Sequence, residues 1–169
     1  MPATYEPISS TTLASASAEV NFTGIPQTFT DLVLIGNVAN SGSGSTAGVI
    51  RLQVGNGSID TGSNYSTTFL FGEGSGAASS VRVTNQTFGY NGECLGTLAN
   101  ASPLTIYFNN YSNTVTNKTF LTRHGSTSRV EANVTLWRST SAINQIKVHI
   151  AANTFIAGST FTLYGIRGS

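Results

Sequence analysis

Residues 129–137 read RVEANVTLW, and the period of that run decides the fold class. Val130, Ala132, Val134 and Leu136 fall on alternate positions. Successive side chains of a β-strand point to opposite faces, so an apolar residue at every second position marks a half-buried strand. The same period runs through VIRLQV (Ile50, Leu52, Val54), PLTIYF (Leu104, Ile106, Phe108) and INQIKVHI (Ile146, Val148, Ile150). Residues 12–22 also alternate, and DLVLI at 31–35 is apolar on both faces, as a strand central to a sheet requires. Assigning the aliphatic face of 129–137 to the core leaves Trp137 on the opposite side. That makes Trp137 the leading candidate for a second surface, a subunit contact or a ligand platform, with Arg138 beside it to pair with a neighbour's carboxylate.

Turn signals separate these runs. TGIPQT (23–28), NSGSGSTAG (40–48), GNGSIDTGSN (55–64), GEGSGAASS (72–80), NGECLGTLANASP (91–103) and HGSTS (124–128) combine Gly, Pro, Asn and Ser in the way that interrupts strands. No window of helical length carries an apolar stripe of period 3.6, and STSAINQI has room for one helical turn at most. About ten strands at regular spacing predict an all-β, two-sheet sandwich, jelly-roll-like, with long Gly/Ser/Asn-rich loops. The expected organisation is an extended N-terminal arm over residues 1–10, held extended by Pro2 and Pro7, and one sandwich domain over 11–169. In the closing STFTLYGI, Phe161 and Leu163 share one face and Tyr164 and Ile166 the other. Gly165 between them reads as a bulge where the apolar phase switches.

Composition narrows the function. Charged residues are only 9% of the 169, the formal net charge is +1, and 39% are hydrophobic. A weakly charged Ser/Thr/Asn surface packs against neighbours with few ions to desolvate. No basic stripe offers a footprint for nucleic acid, and no run approaches the length that spans a bilayer. The N-terminus has no signal-peptide pattern, which predicts synthesis and folding in a cytoplasm. The single Cys94 reads as a small, partly buried hydrophobe.

No constellation of catalytic residues emerges. His124 sits in a turn signal and His149 on a polar face, and both read as solvated or hydrogen-bonded. Seven scattered acids define no hydrolytic pair. Asp60 lies in a loop with the oxygen types calcium takes, without the acid density of a dedicated site. The Gly-rich loops lack a P-loop Lys and a following helix. Eight Asn-x-Ser/Thr sequons, among them Asn64, Asn100 and Asn133, read as chance in an Asn- and Thr-rich chain. No catalytic residue, cofactor or metal is expected.

Six stretches then carry a resemblance: MPATYEPI, FTGIPQTFTDLVLIG, TGSNYSTTFLFGEGS, NYSNTVTNKTFLTR, LWRSTSAINQI and GSTFTLYGI. In this order, from the first residues to Ile166, the chain resembles small β-rich virion proteins of tailed bacteriophages, cyanophage-like in character. The resemblance implies a non-enzymatic structural protein of the virion, made in the host bacterial cytoplasm. Such proteins decorate or cement the capsid, often as jelly-roll homotrimers, with the major capsid protein as partner. The alternative it admits is a tail-fibre or spike component that binds host-surface carbohydrate. Under either reading Tyr5 and Pro7 of the arm join Trp137 and Arg138 as the expected contact residues.

Overall fold

The computed structural model describes residues 4–42, 48–92 and 101–168. Cys94, Asn100 and the first three residues of the expected arm lie outside them. Every regular element among the described residues is a strand. In chain order these are β1 (Tyr5–Thr12), β2 (Glu19–Phe22), β3 (Asp31–Val38), β4 (Val49–Asn56), β5 (Ser58–Ile59), β6 (Tyr65–Glu73) and β7 (Ser79–Gln86). They continue as β8 (Gly89–Tyr90), β9 (Ser102–Phe108), β10 (Lys118–Gly125), β11 (Arg129–Trp137), β12 (Gln145–Ala151) and β13 (Thr160–Ile166). Thirteen strands therefore replace the ten expected, the surplus being short pieces such as β5 and β8. The STSAINQI segment takes no helical turn.

The strands form two antiparallel sheets. The larger has eight, ordered β1-β13-β3-β9-β10-β11-β6-β7; the smaller has β2-β12-β4-β5, with β8 also on β4. Their inner faces meet in one core. Leu32, Leu34, Ile106, Phe108, Phe120, Phe161 and Leu163 come from the large sheet, and Val20, Phe22, Ile50, Leu52, Val54, Ile146 and Val148 from the small one. The phases expected for β4, β9 and β12 hold, because in those strands the inner residues are the aliphatic ones. The protein is an all-β, two-sheet sandwich.

Two expectations at the termini are corrected. The described part of the arm is not free: Tyr5–Thr12 pairs antiparallel with β13 and forms one edge of the large sheet. Gly165 is not a bulge, since β13 keeps unbroken register with β3 from Thr160 to Ile166. The irregularity lies on β1, between Pro7 and Ser9. Gly165 continues the inner face, and a Cβ there would fall 2.4 Å from the Phe29 ring. Glycine is needed for the close approach of that ring.

Candidate functional site

The phase of β11 is the reverse of the one its aliphatic residues suggest. Arg129, Glu131, Asn133, Thr135 and Trp137 point inward and are buried, while Val130, Ala132, Val134 and Leu136 point out. The same sheet face carries apolar residues from its neighbours. Val130 is 65% exposed, Leu70 57%, Val134 48%, and Leu121 and Ile35 45% each. Cross-strand register lines them up. One row runs Pro7, Tyr164, Val33, Tyr107, Leu121, Val134, Thr68, Arg82 across all eight strands. The adjacent row runs Thr162, Ile35, Thr105, Arg123, Ala132, Leu70, Ser80. At the usual strand spacing such a row is about 34 Å long.

Two shallow depressions mark this outer face. One, of about 260 Å³, is lined by Tyr107, Asn109, Thr119, Leu121 and Val134. The other, of about 470 Å³, is bounded by Leu70, Gly72, Ala78, Arg123, Val130 and Ala132. The two rows carry Arg82 and Arg123 and no carboxylate. Scattered exposed aliphatics are ordinary on a soluble protein. Here five of them, Ile35, Leu70, Leu121, Val130 and Val134, share one sheet face, and a cluster of that kind marks a contact surface.

The four residues singled out from sequence fare differently. Trp137 is 2% exposed and belongs to the core, so it is not a contact surface. Its ring stacks on Tyr65 with centroids 6.5 Å apart, and its Nε1 donates to Asp60 Oδ2 at 2.7 Å. Arg138 turns to its own chain, donating to Ser66 Oγ, Asn85 Oδ1 and the Ser63 carbonyl. Tyr5 and Pro7 are exposed. Tyr5 meets Tyr164 edge to face at 6.4 Å. They sit at the β1 end of the outer face.

Asp60 clamps its own loop and the core indole. Its Oδ1 accepts from Gly62 N, and its Oδ2 accepts from Asn64 Nδ2 as well as the indole. Burial works against its ionisation, but the hydrogen bonds from Trp137, Asn64 and Gly62 outweigh it and hold the carboxyl below its ordinary range.

Beneath the outer face, where the large sheet extends past the aliphatic core, the inner surface is polar. Thr67 and Thr135 share a hydroxyl hydrogen bond at 2.9 Å, and Thr122 donates to Asn91 Oδ1. Arg129 Nε and Nη2 each lie 3.2 Å from Glu131 Oε2, and the guanidinium covers the Phe71 ring at 3.8 Å. His124 is inside this cluster at 5% exposure, not in a solvated turn. Burial, then the nearby Arg129, push its pKa down to about 4. Asn133, one of the sequon asparagines, is fully buried here and closed to glycosylation.

The outer face of the small sheet is different again. Arg51 lies 4.0 Å over the Phe88 ring, and Phe88 meets Tyr90 and His149 edge to face at 4.9 and 6.1 Å. Lys147 pairs with Glu19. His149 also has its pKa lowered to about 4, by burial and then by Lys147 and Arg51.

Comparison with known proteins adds little to this geometry. No protein-family model matches the chain, and no curated protein matches it. Among solved structures it is similar to an exo-inulinase from Aspergillus awamori, at 12% identity and TM-score 0.43, over 96% of this chain and 29% of that one. It is also similar to scytalido-glutamic peptidase, at 15% identity and TM-score 0.30, over 88% and 75%. An alginate lyase solved with an alginate tetrasaccharide follows at 9% and 0.26, over 96% and 73%. This chain spans less than a third of the inulinase, and at these values no activity or site residue carries over from the three.

Proposed function

We propose that this protein is a non-enzymatic structural component of a tailed-bacteriophage virion, a decoration or cement protein of the head. The observation that carries the reading is the outward band of aliphatic side chains on the large sheet, formed because β11 turns its polar residues inward. Such a band favours a function exerted by packing. Its two arginines, with no carboxylate in the same rows, would repel in a face-to-face pair of identical copies. They favour a partner that presents carboxylates beside apolar side chains, and under this proposal that partner is the major capsid protein. Homotrimerisation, as the resemblance implies, would multiply such contacts by avidity.

The second reading, a tail-fibre or spike component that binds host-surface carbohydrate, is favoured by the Arg51–Phe88–His149 cluster on the small sheet. There an aromatic ring lies among hydrogen-bonding side chains. Quantitative mass spectrometry of purified virions, with the chain located by antibody labelling in electron micrographs, separates the two. Hundreds of copies over the head support decoration. A handful at the tail support receptor binding, and absence from virions removes both.

A further inference from the structure

We propose that the inner face of β10 and β11 holds a divalent transition-metal ion between His124 Nδ1, Glu131 Oε1 and the side-chain oxygen of Asn133. The strand register brings the three together. His124 pairs directly with Glu131 across the ladder, and Asn133 lies two residues along the same inner face, opposite Thr122. His124 Nδ1 is 3.7 Å from Glu131 Oε1. The Asn133 amide nitrogen is 3.5 Å from that same oxygen. The oxygen and nitrogen of an asparagine amide exchange by a half-turn of the side chain, which would set the carbonyl oxygen there instead. Two atoms bound tetrahedrally to one ion at about 2.1 Å lie about 3.4 Å apart, so both separations measured from Glu131 Oε1 are within a few tenths of an ångström of ligand spacing.

What points to a ligand is the set of groups left over. Both ring nitrogens of His124 and Oδ1 of Asn133 are buried with no hydrogen-bond partner among the described residues. Buried polar atoms nearly always find partners, and here two side chains with unpaired buried atoms flank one carboxylate oxygen. Glu131 is already oriented: Arg129 engages Oε2, and Oε1 lies toward both the imidazole and the Asn133 amide. Gly92 closes the site from above, since a Cβ there would lie 3.1 Å from His124 Cγ and 3.3 Å from Glu131 Oε1. One imidazole with two oxygens suits borderline ions such as Zn²⁺ or Co²⁺, and its oxygens also suit the harder Mn²⁺. Among the described residues no three His, Cys, Asp or Glu side chains converge. The third ligand here is an amide, outside that set.

The test uses the full chain, stripped with a chelator and titrated with Zn²⁺, Mn²⁺ or Co²⁺ alone. Calorimetry, thermal unfolding and the visible spectrum of the cobalt form are the readouts. The expected result is one ion per chain and a melting temperature raised by several degrees at saturating metal. His124→Phe fills the same volume without orphan nitrogens, and is expected to weaken binding about 100-fold or more. Asn133→Asp supplies a charged oxygen and is expected to tighten it about tenfold. The proposal is overturned if the stripped protein binds none of the three ions below about 0.1 mM. It is equally overturned if His124→Phe binds as wild type does, which places the ion elsewhere. Should His124→Phe not fold, unchanged affinity in Asn133→Asp decides against the site.

Discussion

Replacing Leu70, Leu121, Val130 and Val134 together by threonine should abolish assembly and leave the fold standing. Threonine keeps the β-branched shape that suits a pleated surface, and on an exposed face its hydroxyl stays in water. Full burial of a Val or Leu side chain contributes about 1.5–3 kcal/mol relative to exposure. These four are 45–65% exposed in the isolated chain, so about half of that contribution remains for a partner to realise. Each then contributes about 1 kcal/mol, and the four together about 4 kcal/mol. That is close to a thousandfold in affinity, at about 1.4 kcal/mol per tenfold.

The assay is binding of the purified variant to capsids that lack the protein, beside wild type, with denaturant unfolding of both as a control. Near-wild-type stability with binding lost is the expected pair of results. Wild-type affinity in the fourfold variant would refute the assignment of the outer face as the contact surface. A collapse in stability would refute it differently, by showing that these side chains already sit in a core.

Three further outcomes follow from single sites. Gly165→Ala should destabilise by about 1–3 kcal/mol or more in urea unfolding, because its Cβ would meet the Phe29 ring at 2.4–2.5 Å. Adding Phe29→Leu should recover part of the loss, whereas simple additivity would show that the ring is not the obstacle. Trp137→Phe should cost about 1.5–3 kcal/mol through the lost bond to the Asp60 carboxylate. It should leave capsid binding unchanged; impaired binding at unchanged stability would return the indole to a surface. In chelator-treated protein, His124 should make stability depend on pH. Its folded pKa is about 4 against an ordinary 6.5, so the unfolded chain takes up the proton first. The contribution is therefore full above about pH 6.5, declines between 6.5 and 4, and amounts to something on the order of 3 kcal/mol. Subtracting the profile of His124→Phe isolates it, and coincident profiles would mean that the ring is not buried.

Much of the fold is legible in the chain because most strands state their phase plainly. In β4, β9 and β12 the aliphatic residues occupy one alternate set, and burying that set is the sole reasonable choice. Gly165 is less legible. Its reason is the Phe29 ring from the connection between β2 and β3, and nothing local separates a bulge from a close approach. His124 reads as a turn residue because its neighbours are Gly, Ser and Thr. Yet the turn begins only after it, and the partner that buries it, Glu131, is supplied by the register of the returning strand.

β11 is where local reading fails, and the failure bears on function. Hydropathy favours burying Val130, Ala132, Val134 and Leu136, and four aliphatics outweigh one tryptophan by count. The inner set wins because most of its polar members find partners: Thr135 from Thr67, Trp137 from Asp60 and Tyr65, and Glu131 from Arg129 on the same strand face. For these three groups the penalty for burial largely disappears, and the indole adds a large apolar area. The cost falls on the other face, where the aliphatics stay half in water. An isolated monomer gains nothing from that arrangement, since threonine or serine there would fold as well and dissolve better. The arrangement becomes favourable once a second surface covers the face. The phase of β11 therefore fits a chain whose working state is a packed one, as the proposed place on a capsid requires.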